Sequence, residues 1–205
     1  MAGWAMGPEP FIGLLPDDSD CFLCYDYRRL DLPDLSRLDA YERIDLLAWS
    51  MGVWVAARTL ADWRARFTSA TALAGTLYPI DDRGGIPIPA YEKMEQSLTR
   101  KELNTFYSSM FDDPAERAAF MANRPARSLA SVREELTCLH QHVRASHSVP
   151  DIFTRKIVTS RDRIFPARNQ ARAWGSGRFL QKKWPHFPFS VNFFHSISRD
   201  CRHHP

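Results

Sequence analysis

The longest apolar run in this 205-residue chain, Leu46–Ala57 (LLAWSMGVWVAA), is only twelve residues long. A helix that crosses a bilayer needs about 20, so a conventional span is not expected, and membrane contact is limited to one side of such a segment. Cysteine is scarce as well. Four cysteines in a chain of this size do not make a disulfide scaffold. Cys21 and Cys24 are spaced to bridge in an oxidising compartment, whereas nothing in the spacing pairs Cys138 with Cys201. The first twenty residues hold four acids and no lysine or arginine, which reads as neither a secretory signal nor a transit peptide. No repeat of 20 to 50 residues is visible.

Catalytic signatures are missing too. There is no Gly-x-Ser-x-Gly elbow, and Gly175-Ser-Gly177 lacks the strand before and the helix after that would expose a serine. Gly84-Gly85 runs into Ile-Pro-Ile-Pro, without the lysine or helix start of a phosphate loop. The adjacent carboxylates Asp17/Asp18, Asp81/Asp82 and Asp112/Asp113 do not converge from separate elements, as paired acid–base or metal chemistry requires. His140, His142 and His147 read as surface residues on or near a helix. Cys21-x-x-Cys24 with Cys138, His140 and His142 is the most metal-like set, Cys138 and His142 being one helical turn apart, but its second half is no zinc knuckle. The terminal CRHHP reads as a solvated chain end. These absences lead to the expectation of a non-enzyme with no cofactor, no metal and no small-molecule substrate.

What the chain does have is helical periodicity and a charge split. Leu38, Tyr41, Ile44, Ala48, Met51 and Val55 recur at helical spacing and predict a helix over about 37–66, opened by Ser36 and Asp39 as a capping box. Further starts are marked by Pro89, by Thr99 with Glu102, by Asp113-Pro114 with Glu116, and by Ser128, whose helix runs to about 146. Residues 75–89, rich in Gly and Pro, read as a structured loop, and 151–160 (DIFTRKIVTS) as a short β-like piece. The resulting expectation is a mainly α fold. It has a small helical body of four to five helices over 36–148, an extended N-terminal segment over 1–35, and a largely irregular, basic and aromatic C-terminal arm over 149–205.

Residues 151–205 carry eleven lysines and arginines against three acids, a net charge of +8, while the preceding 150 residues carry a net −5. Within the arm, residues 177–196 hold six aromatics, three cations and no acid. Arg172, Trp174, Arg178, Phe179, Lys182, Lys183, Trp184, Phe187, Phe189, Phe193 and Phe194 therefore stand as candidate contacts to protein, anionic lipid or RNA. Arginine outnumbers lysine 22 to 5, which suits forked ion pairs at interfaces. The functional expectation is a non-catalytic accessory subunit of a large multiprotein assembly, set in a mitochondrial inner-membrane complex such as a respiratory complex or ATP synthase. The alternative is a mitochondrial ribosomal or other RNA-binding protein, and the third reading a zinc-binding or enzymatic domain built on Cys21, Cys24, Cys138 and His142.

Overall fold

The computed structural model describes residues 1–16, 18–146, 148–190, 193, 194 and 197. Its centre is a parallel sheet of four strands in spatial order β1 (Asp45–Trp49), β2 (Ser69–Leu73), β3 (Arg155–Thr159) and β4 (Leu180–Lys182). Trp49 pairs with Leu73, Leu73 with Ile157, and Thr159 with Lys182.

These strands are apolar on both faces, as parallel strands covered on both sides must be. Leu46, Ala48, Ala70, Ala72 and Val158 belong to one buried cluster, together with Val53, Ala56, Ala57 and Trp174. The alternate positions Leu47, Trp49, Leu73 and Ile157 belong to the other. Successive side chains of a strand point to opposite faces, so the sheet separates the two cores.

The expected mainly α fold is therefore wrong: the chain is α/β. The single helix over 37–66 is in fact a 3-10 turn (Ser36–Ala40), β1, α1 (Met51–Thr59) and a second 3-10 turn (Ala61–Arg66). The physical reason is the twelve-residue apolar run. A strand buried on both faces is as continuously apolar as a buried helix, and periodicity alone does not separate them. Ser36 caps nothing; its hydroxyl and amide both turn back to Asp34. The C-terminal segment is not irregular either, for it carries β3, α6 (Ala167–Trp174) and β4.

Helical reading does hold for the stretch between β2 and β3. This insert contains α2 (Ile88–Ser97), α3 (Arg100–Ser109), α4 (Pro114–Ala122) and α5 (Leu129–Ala145). Thr99, Asp113 and Ser128 accept the amides of Glu102, Ala115 and Ser131 with their side chains, which fixes the starts of α3, α4 and α5. The insert lies against the carboxyl ends of the strands. Tyr91, Leu103, Tyr107, Met110, Phe111, Phe120 and Leu136 share one core with Trp4, Ala5, Phe11, Trp49 and Phe187. Polar bonds fix its docking: the Trp4 indole donates to Val132 O at 2.9 Å, and the Tyr107 hydroxyl to Ala5 O at 2.8 Å. Glu135, fully buried on α5, accepts the amides of Ala5 (3.2 Å) and Tyr27 (2.9 Å) and pairs with Arg127 at 2.6 Å. Burial pushes the Glu135 carboxyl up, against the opposing pull of Arg127 and the two amides.

Candidate active site

Ser50 occupies the one-residue turn between β1 and α1, with φ 59° and ψ −130°. A non-glycine residue held there stores on the order of 1–3 kcal/mol of strain, so the surroundings must enforce it. They do so through the backbone: Ser50 N donates to Leu73 O, and Val53 N to Ser50 O, each at 3.0 Å. Glycines let neighbouring chain close in. A Cβ on Gly52 would collide with the carbonyl oxygens of Ala2 and Met1, and one on Gly75 with Ser50 O. Gly3 comes so near that its Cβ would lie 3.0 Å from Ser50 Cβ.

The strain aims Ser50 Oγ at His186 Nε2, 3.0 Å away. His186 Nδ1 in turn lies 2.8 Å from Asp162 Oδ2. Asp162 sits just past β3, and His186 just past β4, so all three groups converge at the carboxyl ends of parallel strands, where such sheets place their chemistry. Five donors surround Asp162. Oδ2 receives Thr159 Oγ1 (2.9 Å), Gln170 Nε2 (3.1 Å) and the imidazole, while Oδ1 receives the amides of Ile164 and Phe165 (both 2.8 Å). With Asp162 acting only as acceptor, Nδ1 carries the imidazole proton and Nε2 is free to accept from the serine hydroxyl. Gln170, fully buried on α6, also accepts Thr159 N and donates to Phe165 O, which locks the acid-bearing turn to the strand before it.

The site is closed. Ser50 is 4% exposed and His186 1%. Aromatic rings wall the imidazole: Trp49 lies 5.2 Å from it, and Phe165 stacks parallel at 6.1 Å. Beyond them Phe11, Phe187, Phe189 and Phe193 pack edge to face.

Of the sequence candidates, the structure buries Trp174, Phe187 and Phe193 and half-buries Phe179, Lys182, Trp184, Phe189 and Phe194, while Arg172, Arg178 and Lys183 are exposed. Lys182 lies over the Trp184 ring and Arg172 donates to Arg83 O. Trp174 donates to Gly75 O, behind the nucleophile turn. The three described cysteines are free: Cys21 exposed, Cys24 and Cys138 half-buried, with His142 exposed on α5. Among the described residues no group of three or more His, Cys, Asp or Glu is placed to hold a metal ion. Asp17, His147, Cys201 and the rest of CRHHP lie outside the described residues. No described helix is long and apolar enough to cross a membrane.

Sequence reasoning missed Ser50, Asp162 and His186. The signal was Ala48-Trp49-Ser50-Met51-Gly52, a variant of the serine motif in which alanine stands for the first glycine. Gly52, the position that sterics make obligatory here, is kept; Ala48 is fully buried and its single methyl fits the core.

A strained serine between strand and helix, hydrogen-bonded to a histidine and through it to an aspartate on a parallel sheet, is the arrangement found in serine hydrolases of the α/β-hydrolase type. The pimeloyl-ACP methyl esterase BioG family matches residues 1–195, and the chain belongs to that family. It is 36% identical over 173 residues to a malonyl-[acyl-carrier protein] O-methyltransferase of Bacteroides fragilis, in a match covering 84% of this chain. The chain spans only about a third (35%) of that relative's length. It is also 37% identical over 193 residues to an uncharacterized protein of Haemophilus influenzae, covering 92% of this chain and 87% of the relative. A crystal structure of selenomethionine-labelled BioG from Haemophilus influenzae superposes with a TM-score of 0.77 at 36% identity, covering 88% of this chain and 82% of that one.

Membership of an enzyme family overturns the expectation of a non-catalytic subunit and, with it, of an assembly partner or RNA-binding protein lacking a small-molecule substrate. A mitochondrial inner-membrane location is likewise unsupported, since these relatives are bacterial proteins.

Proposed function

We propose that this protein hydrolyses the methyl ester of a pimeloyl group carried on acyl-carrier protein, through an acyl-enzyme on Ser50. The observation that supports this reading is the unbroken hydrogen-bond chain Ser50–His186–Asp162, at 3.0 and 2.8 Å. His186 Nε2 takes the Ser50 proton as Oγ bonds to the ester carbonyl carbon. The oxyanion forms beside the Met51 amide, at the N-terminus of α1, and the closely packed Gly3–Trp4 backbone, the two places where N–H donors flank such a serine. Collapse breaks the bond to the methoxy oxygen, which leaves as methanol with the proton from His186. Water then gives its proton to His186, attacks the acyl-enzyme, and releases the free carboxylate and Ser50. Asp162 holds the imidazole in the required tautomer throughout. Methyl transfer, named for the Bacteroides relative, is not carried over, because the match covers about a third of that protein.

The test is methanol release from the methyl ester of pimeloyl-ACP, measured beside release of the carrier thiol. Wild type should liberate methanol and leave the thioester intact, and Ser50→Ala should lose at least about 1000-fold in kcat. A fully active Ser50→Ala protein, or thiol release in place of methanol, refutes the assignment.

A further inference from the structure

The turn that ends α3, Met110–Asp112, grips both loops that bear the histidine and the acid. Met110 O accepts the amide of Phe187 at 3.1 Å. That amide belongs to the same peptide group whose carbonyl, on His186, accepts the Trp49 indole at 2.7 Å. The insert and the nucleophile turn thus hold one peptide group from opposite sides. Two residues on, the Asp112 carboxylate lies between the arginines that flank Asp162 in sequence. Arg163 Nη2 is 2.9 Å from Oδ1, and Arg161 Nε 3.5 Å from Oδ2. Between them Phe111, buried, packs on Phe187 at 5.3 Å.

With Ser50 4% and His186 1% exposed, an ester reaches the serine only if covering structure moves. The insert is that structure on the strand-end side, and lifting the 110–112 turn removes a support from the His186 loop and one from the Asp162 loop together. Resting on the serine-hydrolase reading, we propose that Asp112 is a positioning residue. It couples closure of the insert to assembly of the triad, so that the histidine and acid are aligned only when the site is shut around its ester. An open site would then be a poor hydrolase, which restricts turnover to substrates that let the insert close.

Arg161 and Arg163 are each 60% exposed, so the ion pairs are salt-sensitive and individually modest. The experiment uses the full chain with a short p-nitrophenyl ester, and a fluorophosphonate to label Ser50. Asp112→Asn should lower kcat about two- to five-fold with KM little changed, and Asp112→Glu should restore most of it. Wild-type kcat should fall as sodium chloride is raised from about 0.1 to about 1 M, while Asp112→Asn stays nearly flat. Arg163→Gln, exposed and safer for folding, should reproduce the loss and add little in the double variant. An unchanged kcat and salt response in both single variants, or a change confined to thermal stability, overturns the coupling. Wild-type protein whose Ser50 is not labelled overturns the hydrolase reading and the coupling with it; normal labelling with unaffected variants defeats the coupling alone.

Discussion

The indole N–H of Trp49 donates to the carbonyl oxygen of His186 at 2.7 Å, so the residue before Ser50 anchors the residue whose imidazole meets the Ser50 hydroxyl. Both groups are buried. Trp49→Phe keeps most of the ring contacts and deletes the one donor, leaving the His186 carbonyl with no partner from the nucleophile turn. An unmade buried bond costs about 1–3 kcal/mol, and the loss falls on the alignment of the base. The expected result is a fall in kcat of about 10-fold or more with KM nearly unchanged. Steady-state kinetics on a soluble ester check it; equal kcat would mean that the bond does not position His186.

Gln170 supports Asp162 from the opposite side, through its amide nitrogen at 3.1 Å from Oδ2. Gln170→Glu is nearly isosteric but places a carboxylate oxygen against both Asp162 and Phe165 O, where a donor stood. A charge-assisted bond is lost and a like-charge contact created, at a cost of about 1.5–3 kcal/mol. Activity should drop about 10- to 100-fold, whereas fluorophosphonate labelling, which needs an intact pocket, should slow yet still go to completion. A variant as fast as wild type would remove Gln170 from the support of the acid.

How much of this was legible in the sequence follows from where each feature stores its information. Thr99, Asp113 and Ser128 are local caps, readable because side chain and amide lie within three residues. The sheet was not readable, because Leu46 to Trp49 are buried on both faces and show no alternation. Mistaking that strand for helix hid the site. Ser50 stands out only once a strand ends at Trp49 and a helix begins at Met51, and a search demanding glycine at position 48 passes over it. Asp162 and His186 are 24 residues apart and join Ser50 across 112 and 136, so no local pattern links them. The aromatic richness of 184–194 was visible, but its cause was not: Phe187 and Phe189 pack on Trp49, which itself lies against the buried imidazole.

Gly52 tests the steric side of the nucleophile turn. Gly52→Ala drives a methyl into the carbonyl oxygens of Ala2 and Met1, which are backbone and cannot swing aside. Overpacking of this kind costs about 1–3 kcal/mol. For a chain near this size that means a fall in Tm of roughly 2–4 °C per kcal/mol, together with displacement of Ser50 from His186. Calorimetry and esterase assay should fall together, and a stable, active Gly52→Ala protein would show that the turn has slack the packing does not suggest.

Asp26 provides a prediction with a pH sign. Burial raises its carboxyl, but the hydrogen bond and charge of Arg28 and the charge of Arg127 outweigh this, and the group is held below the usual aspartate value. A folded-state value lower than the unfolded one stabilises the protein above the ordinary titration, near pH 4, and the contribution disappears as pH falls through the lowered value. Because Arg127 also clamps Glu135, and through it the insert, loss of the Asp26 partner should be felt as stability and not only as local order. Asp26→Asn is therefore expected to melt lower than wild type at pH 7, by an amount corresponding to about 1 kcal/mol for a carboxylate that is itself partly exposed. The gap between the two proteins should narrow steadily as the pH is lowered below about 4. A gap that is constant with pH would assign the effect to lost hydrogen-bond geometry instead of charge, and a gap that widens on acidification would reverse the sign argued here.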